Sequence, residues 1–255
     1  MIPARLHSQR LARKPLQPLA GRPLLEWVWR RVSSFDVFAA CVVATDAPEI
    51  AAACARFGAA VELTAATHPS GTDRIAELVA RPAYAGYDVV VNVQGDEPFV
   101  TEVQVRTAVA QVHAGCDVGT VATPVATLAA WRDPAVVKVV RRDDGSALYF
   151  SRAPVPWRRD GDPDEAALAS ARYLRHIGVY AYPPAALARC VALPPHALEE
   201  AERLEQLRPL AAGMRIGVGV VSEAAGGVDT PDDLARASER LQREGEWGLQ
   251  PNPES

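Results

Sequence analysis

The sequence predicts an α/β protein in which a mostly parallel central sheet is flanked by helices and carries a small antiparallel lobe. Over the first half of the chain, short β-branched runs alternate with amphipathic helices, the pattern of parallel strands joined by right-handed crossovers. The run at residues 89–93 is apolar at four of its five positions, which is typical of a strand buried on both faces. Beyond it, residues 136–140 and 147–150 flank an Asp-Asp-Gly turn and predict an antiparallel hairpin.

The composition of the 255-residue chain is that of an ordinary globular protein, with 49% hydrophobic and 23% charged residues. We expect one domain over residues 1–244, with the antiparallel lobe inserted at about 142–185, and a disordered, polar tail at 245–255. The net charge of −4 argues against broad binding to nucleic acid. No membrane partner is expected, since no apolar stretch reaches the roughly 20 residues that cross a bilayer. The four cysteines are far apart and lack metal-ligand spacing, which fits a reducing cytoplasm.

A basic loop follows the short first strand. Residues 3–15 are poor in apolar side chains and include Arg5, Arg10 and Lys14. Cations that converge on one loop can neutralise a triphosphate, and arginine grips phosphate oxygens in bidentate fashion. A basic loop that is merely solvated is the alternative. A helix is expected next, with Pro23 in its first turn.

Two further helices follow short strands and begin with polar residues. Asp46 is expected to cap the helix that follows the strand at 41–45. Ser70 lies in a loop that leads into a helix at about 75–81. Backbone donors and hydroxyls at a helix N-terminus suit an anion or the edge of a base, although many helices begin in this way.

The central strand ends at Gln94 and Gly95, and two carboxylates follow at Asp96 and Glu97. In open α/β sheets, ligands bind outside the carboxyl ends of the strands. Asp96 and Glu97 could therefore hold a polyanion and its metal ion. Taken alone, the two carboxylates are equally compatible with a plain polar turn.

The second half of the chain offers candidate side chains on a strand and a helix. A strand at 175–182 places His176 and Tyr180 on one face, although a single strand histidine is usually a hydrogen-bonded core residue. A helix is expected over 198–210. Its apolar stripe leaves out Glu205 and Gln206, whose default location is solvent.

The last helix is expected to begin within residues 226–234. Asp229 or Thr230 would serve there as its cap. A cap is the structural explanation for this motif, and the motif alone does not separate that role from a functional one.

Eight segments, read together, resemble the CMP-Kdo synthetases, which are 3-deoxy-manno-octulosonate cytidylyltransferases. In chain order they are IPARLHSQRLARKPL, HPSGTDR, VVNVQGDEP, VKVV, ALYFSRAPVPW, LRHIGVYAY, LEQLR and GVDTPDDL. Their order and spacing match the family from Ile2 to about Leu241. The resemblance implies a Rossmann-like nucleotidyltransferase fold with a small extra lobe, paired as a homodimer. It also implies that CTP and Kdo (3-deoxy-D-manno-octulosonate) form CMP-Kdo and pyrophosphate with Mg²⁺, in the cytoplasm, for lipopolysaccharide biosynthesis.

The resemblance further implies roles for individual residues. The implied metal ligands are Asp96 and Asp229. The implied catalytic residues are Arg5, Arg10, Lys14 and Asp96. Among them, Arg10 and Lys14 resemble residues that bind the triphosphate, and Arg5 is implied to lie near the reacting phosphate. The implied nucleotide-binding set adds Ala4, Ser70 and Arg74 at the cytosine edge. The implied sugar-binding set is Gln94, Arg152, His176, Tyr180, Glu205 and Gln206, because Kdo carries a carboxylate and many hydroxyls.

Two departures from the family pattern affect what we expect. The family normally has several apolar residues before the IPAR motif, whereas here only Met1 and Ile2 precede it. We therefore expect a truncated first strand, and a lower stability than that of an N-terminally extended form. Ala12 and Arg13 stand where the family more often has Pro-Gly, so the loop is expected to lose flexibility and gain charge.

Two other functions are compatible with the sequence. The first keeps the reaction and changes the acid sugar to 8-amino-Kdo or a sialic acid. The second is a catalytically inactive paralogue that binds a nucleotide. The presence of every charged residue that the chemistry needs argues against the second.

Overall fold

The structure is a computed structural model that describes residues 1–6, 11–222 and 224–244. The chain forms two compact units. The first comprises Met1–Leu78, Val93–Thr101 and Ala225–Ser255, and the second comprises Val79–Asn92 and Glu102–Ala224. The single domain expected over residues 1–244 stays a prediction. Arg10 and the tail expected at 245–255 lie outside the described residues.

Helices and strands alternate over residues 24–124, as the sequence pattern predicts for the first half of the chain. The strands are β1 (Ile2–Ala4), β2 (Pro18–Leu19), β3 (Arg22–Pro23), β4 (Val43–Thr45), β5 (Val61–Leu63), β6 (Val90–Val93), β7 (Val118–Pro124), β8 (Lys138–Arg141), β9 (Ala147–Ser151), β10 (Leu174–Tyr182) and β11 (Ile216–Val220). The helices are α1 (Leu24–Ser33), α2 (Pro48–Arg56), α3 (Gly71–Val79), α4 (Glu102–His113), α5 (Leu128–Arg132), α6 (Glu165–Leu168), α7 (Pro184–Ala192), α8 (Ala197–Glu202), α9 (Leu207–Ala211) and α10 (Pro231–Glu244). None of the helices in the described ranges has both the length and the apolar character to cross a bilayer.

The first unit contains a parallel sheet in the order β1-β4-β5. Ala4 pairs with Thr45, so the basic loop begins beside the carboxyl end of β4. All three residues of β1 are buried. A cluster of buried side chains anchors α1 and α10 in this unit: Leu11, Leu19, Leu24, Trp27, Phe99, Val228, Ala237 and Leu241.

The second unit contains strands in the order β11-β7-β10-β8-β9, and β6 pairs with β10. β11 runs parallel to β7, whereas β7–β10, β10–β8 and β8–β9 are antiparallel. The hairpin predicted from residues 136–150 is confirmed as β8–β9. Helix α4 packs tightly on β7, because a Cβ atom at Gly119 would lie 2.0 Å from the carbonyl oxygen of Ala108.

Three local predictions differ from the structure. The helix expected over 198–210 is divided into α8 and α9, and Arg203 between them adopts a left-handed conformation with φ 55°. Pro209 explains the break, since proline removes a hydrogen bond and clashes in a helix interior but is tolerated in the first turn of α9. Asp46 does not cap α2, whose cap position is Ala47. The helix expected at 75–81 begins earlier, at Gly71.

Candidate active site

Two carboxylates from distant parts of the sequence meet at one cation in the first unit. The ammonium of Lys14 donates to Asp96 and, over 2.9 Å, to Asp229. Lys14 begins a short 3-10 turn, Asp96 lies in the loop after β6, and Asp229 lies just before α10. The Lys14 side chain is 16% exposed, and those of Asp96 and Asp229 are 27% and 42% exposed. Lys14 is therefore largely enclosed, while both acids remain reachable from solvent.

The cap of α10 is formed without the carboxylate of Asp229. The Thr230 hydroxyl accepts a 3.2 Å hydrogen bond from the backbone N–H of Asp233. The Asp233 carboxylate in turn accepts from the backbone N–H groups of Asp229 (3.1 Å) and Thr230 (2.9 Å). The helix start is satisfied by this reciprocal arrangement. The side chain of Asp229 is thus available to Lys14, and the structural explanation that the sequence offered for it does not apply.

Close backbone packing fixes the loop that carries Asp96. A Cβ atom at Gly95 would lie 3.0 Å from the carbonyl oxygen of Pro3. The backbone N–H of Val228 donates to the carbonyl oxygen of Asp96 over 2.8 Å. A Cβ atom at Gly227 would lie 2.9 Å from the Glu97 carboxylate. The segments that carry Asp96 and Asp229 are therefore joined through their backbones as well as through Lys14.

The electrostatics of this cluster favour cation binding. Burial lowers the pKa of Lys14, but the charges and hydrogen bonds of Asp96 and Asp229 outweigh burial, so its pKa is raised above the ordinary value. Lys14 is therefore protonated at neutral pH. Two carboxylates that converge on a positive charge also suit Mg²⁺, which takes one or two protein carboxylates together with phosphate oxygens and water. The donor set fits that ion.

The expected nucleotide-binding residues that the structure describes also lie in the first unit. Ala4 is buried at the end of β1, and Arg5 directly after it is exposed. The Ser70 hydroxyl donates to Asp73 over 2.6 Å and accepts from its backbone N–H, so Ser70 caps α3. Arg74 is 4% exposed.

Asp46 was expected to cap α2, but its carboxylate has another partner in the first unit. Its carboxylate lies 3.2 Å from the guanidinium of the buried Arg74. The same guanidinium donates to the Thr64 hydroxyl and, over 3.4 Å, to the carbonyl oxygen of Ala65. The position of Asp46, at the carboxyl end of β4, was the signal that could have revealed this role.

The second unit collects five of the six expected sugar-binding residues: Arg152, His176, Tyr180, Glu205 and Gln206. Gln94, the sixth, belongs to the first unit. Arg152 follows β9 directly, and its guanidinium donates to the carbonyl oxygens of Glu202 (2.7 Å), Pro134 (2.9 Å) and Arg203 (3.4 Å). The break between α8 and α9 leaves Glu205 exposed and Gln206 buried.

The surroundings of His176 keep its imidazole neutral. Its ring packs edge-on against Phe150, with centroids 5.1 Å apart, and adjoins the ring of Tyr180 at 5.3 Å. Burial lowers the pKa of His176 to about 3, so the imidazole is neutral. Nε2 lies 2.9 Å from the Thr120 hydroxyl, which itself donates to the carbonyl oxygen of Val179 over 2.8 Å. Nε2 must then be the donor to Thr120, which leaves Nδ1 as an acceptor.

Tyr180 remains protonated in the same group. Burial, followed by the charge of Glu205, raises the pKa of its hydroxyl. The hydroxyl is therefore a donor at any physiological pH, and a sugar oxygen is a suitable acceptor for it.

Known cytidylyltransferases match most of the chain. The family whose sequence model matches the chain is described as cytidylyltransferase, and the match covers residues 1–216. A 3-deoxy-manno-octulosonate cytidylyltransferase from Gemmatimonas aurantiaca is 52% identical over 93% of this chain and 92% of its own. One from Halorhodospira halophila is 47% identical over 95% and 96%. The chain belongs to the 3-deoxy-manno-octulosonate cytidylyltransferase family.

Solved structures agree with membership of the 3-deoxy-manno-octulosonate cytidylyltransferase family. The structure of a CMP:2-keto-3-deoxy-manno-octonic acid synthetase complexed with CTP matches with a TM-score of 0.85 and 36% identity, over 96% of this chain and 98% of that one. A 4-diphosphocytidyl-2C-methyl-D-erythritol synthase matches with a TM-score of 0.60 at 13% identity, over 94% and 95%, and shows the shared fold alone. The expected family, the nucleotidyltransferase fold and the enzyme class are confirmed.

Two charged residues of the second unit were missed by sequence reasoning in this family member. Lys138 is fully buried, and Glu202 accepts hydrogen bonds beside Arg152. A lysine in an otherwise apolar strand run, VVKVV, was the available signal for Lys138, because lysine is almost never fully buried without partners. No comparable signal marks Glu202, which lies close to two other glutamates, Glu199 and Glu200, in the sequence.

Proposed function

We propose that the protein transfers the cytidylyl group of CTP to Kdo, with release of pyrophosphate, and that Asp96 and Asp229 hold Mg²⁺ for this reaction. The observation that carries the proposal is the convergence of these two acids on Lys14 at the edge of the nucleotidyltransferase sheet. The names of the relatives support CTP and Kdo as the substrates.

The residues of the first unit bind CTP in this proposal. Bound Mg²⁺ would neutralise phosphate charge and orient the triphosphate. Lys14 and Arg5 bind phosphate oxygens, a role that we extend to Arg10 by resemblance. The buried Arg74, oriented by Asp46, belongs with Ser70 and Ala4 to the cytosine-binding edge.

The residues of the second unit bind the acid sugar. The Arg152 guanidinium is the counter-charge for the Kdo carboxylate, since arginine pairs with carboxylates in bidentate fashion. The neutral His176 and the protonated Tyr180 offer an acceptor and a donor to sugar hydroxyls. Glu205 and Gln206 add further hydrogen-bonding groups, and the resemblance to the family implies Gln94 as a sixth sugar ligand.

The reaction itself requires little covalent chemistry from the protein. The anomeric hydroxyl of Kdo attacks the α-phosphorus of CTP in line, the bond to the β-phosphate oxygen breaks, and pyrophosphate leaves. Positioning of the two substrates and stabilisation of charge are the protein's contributions. The choice of sugar rests with the second unit in this proposal, because that unit holds five of the six proposed sugar ligands.

A substrate panel tests the proposal. Pyrophosphate release would be measured with CTP, UTP, ATP or GTP and with Kdo, 8-amino-Kdo or N-acetylneuraminate. We expect the highest kcat/KM with CTP and Kdo. A higher value with another acid sugar would assign that sugar instead, and CTP binding without turnover of any sugar would identify an inactive paralogue.

Substitution of the two acids tests the metal assignment. Asp96→Asn and Asp229→Asn are each expected to lower kcat by roughly a thousandfold or more while the fold persists. Asp232→Asn is the matched control, because Asp232 is exposed in the first turn of α10. Retained turnover in either of the first two variants contradicts the role of that residue.

We further propose that the protein acts as a homodimer in the cytoplasm and supplies lipopolysaccharide biosynthesis. The resemblance to the family supports all three statements. Light scattering of the purified protein across a concentration series tests the dimer, and fractionation of producing cells tests the location. A mass equal to one chain at all concentrations contradicts the dimer.

A further inference from the structure

We propose that Lys138 and Glu202 are positioning residues that hold the guanidinium of Arg152 in place for the carboxylate of the sugar. The inference rests on the proposed sugar-binding role of Arg152. It is carried by a set of hydrogen bonds within the second unit that joins β8, the end of β9, the loop before β8 and the end of α8.

Lys138 is the first half of this arrangement. Its side chain is fully buried, and its ammonium donates to the carbonyl oxygens of Asp133 (2.9 Å), Val136 (2.6 Å) and Arg152 (2.6 Å). An ammonium has three N–H donors, so all of them are used. Burial lowers the pKa of Lys138, and the charges of Asp133 and Glu202 oppose that effect.

Glu202 is the second half. Its carboxylate accepts from the Ser151 hydroxyl over 2.6 Å and from the backbone N–H of Arg152 over 2.8 Å. It also hydrogen-bonds to the side chain of Tyr149, whose pKa is raised by burial and by the charge of Glu202. The backbone of Arg152 is therefore bound on both sides by charged side chains, at its N–H by Glu202 and at its carbonyl oxygen by Lys138.

The same two segments supply the acceptors of the Arg152 side chain. The carbonyl oxygens of Pro134, Glu202 and Arg203 accept from its guanidinium. Pro134 lies inside the loop that Lys138 fixes, and Arg203 follows Glu202 directly. A guanidinium has five N–H donors, so two remain for a ligand once these three bonds to the described residues are made. Two donors are what bidentate binding of a carboxylate requires.

The arrangement also continues to the other proposed sugar ligands. Arg175 on β10 pairs with Lys138 on β8, and the backbone N–H of His176 donates to the carbonyl oxygen of Val137 over 2.8 Å. Glu205 and Gln206 follow the segment held by Arg152. A change at Glu202 should therefore affect sugar binding and leave CTP binding largely intact.

The test is a kinetic comparison of Glu202→Gln with Arg152→Ala and with the double variant. Glutamine removes the negative charge and replaces one of the two acceptor oxygens with an NH₂ group, which cannot accept from the Ser151 hydroxyl or from the Arg152 backbone N–H. We expect Glu202→Gln to raise the KM for Kdo by about tenfold, with the KM for CTP changed by less than about twofold. In the Arg152→Ala background the same change should add less than about twofold, because both substitutions then remove one function.

Asp144→Asn is the matched control. Asp144 accepts from a serine hydroxyl over 2.6 Å and from a backbone N–H over 2.8 Å, both on Ser146, at the turn of the β8–β9 hairpin. Both bonds end at Oδ1, which asparagine keeps, so the replacement removes a carboxylate charge and its pair with Arg215 at the opposite end of that hairpin. We expect a change in melting temperature without a change in the KM for Kdo. Lys138→Met should resemble Glu202→Gln in the ratio of the two KM values; if it fails to fold, Glu202→Gln alone carries the test.

The outcomes separate this inference from the proposed function. Absence of Kdo turnover in the unaltered protein overturns the proposed function, and the inference with it. Normal turnover, a raised KM for Kdo in Arg152→Ala and an unchanged KM in Glu202→Gln overturn the inference alone. Equal increases of both KM values, or fully additive effects in the double variant, show a structural role and also overturn it.

Discussion

Lys14 donates a 2.9 Å hydrogen bond to Asp229, a residue 215 positions further along the chain, with an ammonium that also contacts Asp96. A lysine expected to bind phosphate thus lies where the proposed metal ion would be held. The ammonium and the ion are alternative partners for the same carboxylates. Binding of metal in the absence of CTP should therefore compete with Lys14.

Removal of this lysine should strengthen metal binding and weaken nucleotide binding. A unit charge a few ångströms from a bound ion costs on the order of 1 kcal/mol even in water. We expect Lys14→Met to bind Mn²⁺ alone roughly tenfold more tightly, as measured by electron paramagnetic resonance of free Mn²⁺. The affinity for CTP, measured by calorimetry, should fall.

Arg13→Met is the control for the loss of charge as such, since Arg13 is the adjacent cation and pairs with Glu49 instead. It should leave the Mn²⁺ affinity within about twofold of the unaltered protein. Asp96→Asn should weaken Mn²⁺ binding. Weaker Mn²⁺ binding in Lys14→Met would contradict the proposed competition between Lys14 and the metal ion. Unchanged Mn²⁺ binding in Asp96→Asn would contradict the proposed metal site.

A methyl group at position 227 should disturb the proposed metal site by contact with Glu97. In Gly227→Ala the Cβ atom would lie 2.9 Å from the Glu97 carboxylate and 3.3 Å from the carbonyl oxygen of Asp96. One of these groups must move, and small displacements at a reaction centre cost up to about a hundredfold in rate. We expect kcat to fall by roughly ten- to a hundredfold.

Gly226→Ala provides the comparison for that substitution. A Cβ atom at Gly226 meets nothing within 4 Å. Both variants change glycine to alanine in one loop, so their effects on the unfolded chain are similar. Gly226→Ala should retain kcat within about twofold, and equal losses in the two variants would show that the steric contact at 227 is not responsible.

The elements that could be predicted from the sequence are those fixed by local signals. The run at 89–93, the Asp-Asp-Gly turn of the β8–β9 hairpin and the strand alternation each depend on periodicity or turn chemistry, and each is present. The prediction of a single helix over 198–210 is wrong because it used the apolar spacing and did not take Pro209 into account. A competing local rule was therefore present in the sequence itself.

The contacts within the site were less accessible, because they depend on tertiary structure. Asp46 had a sufficient local explanation as a helix cap, yet its carboxylate pairs with Arg74, 28 positions away. Asp229 also had a cap role available, and Thr230 with Asp233 takes it instead. Composition and spacing do not decide between a local and a distant partner for one carboxylate. The resemblance to the family, not the residue pattern, singled out Asp229.

The conformation of Arg13 favours glycine, which is the residue that the family resemblance implies for this position. Its backbone adopts φ 54° in the left-handed region, which costs a side-chain-bearing residue roughly 1 kcal/mol. We expect Arg13→Gly to raise the melting temperature by about 2–4 °C, the usual result of about 1 kcal/mol in a chain of this size. The exposed ion pair with Glu49, at 59% and 54% side-chain exposure, contributes little.

Glu49→Gln measures that ion pair separately, since it removes the pair without changing the backbone at position 13. Its melting temperature should lie close to that of the unaltered protein. If Arg13→Gly melts below Glu49→Gln, relief of backbone strain is not the dominant effect. Scanning calorimetry at one protein concentration gives both values.

The neutral state of His176 should make stability depend on pH in a defined window. The folded protein keeps this imidazole unprotonated down to a pKa of about 3, whereas an unfolded chain binds its proton near pH 6.5. Between these values the unfolded state holds more protons, so the free energy of unfolding rises with pH and levels off above about pH 7. The contribution of one such group is at most about 1.4 kcal/mol per pH unit.

His176→Gln should therefore flatten the dependence of unfolding free energy on pH between 5 and 6.5, as measured by urea denaturation at several pH values. Glutamine can still donate to Thr120, so the variant removes the titration and keeps a hydrogen bond at that position. His113→Gln, at an exposed histidine near the end of α4, should keep the slope of the unaltered protein. Equal slopes in all three proteins would mean that His176 takes up its proton in the folded state at ordinary pH. In that case the imidazole would meet the sugar as a cation, and the hydrogen-bonding role proposed for Nδ1 would be lost.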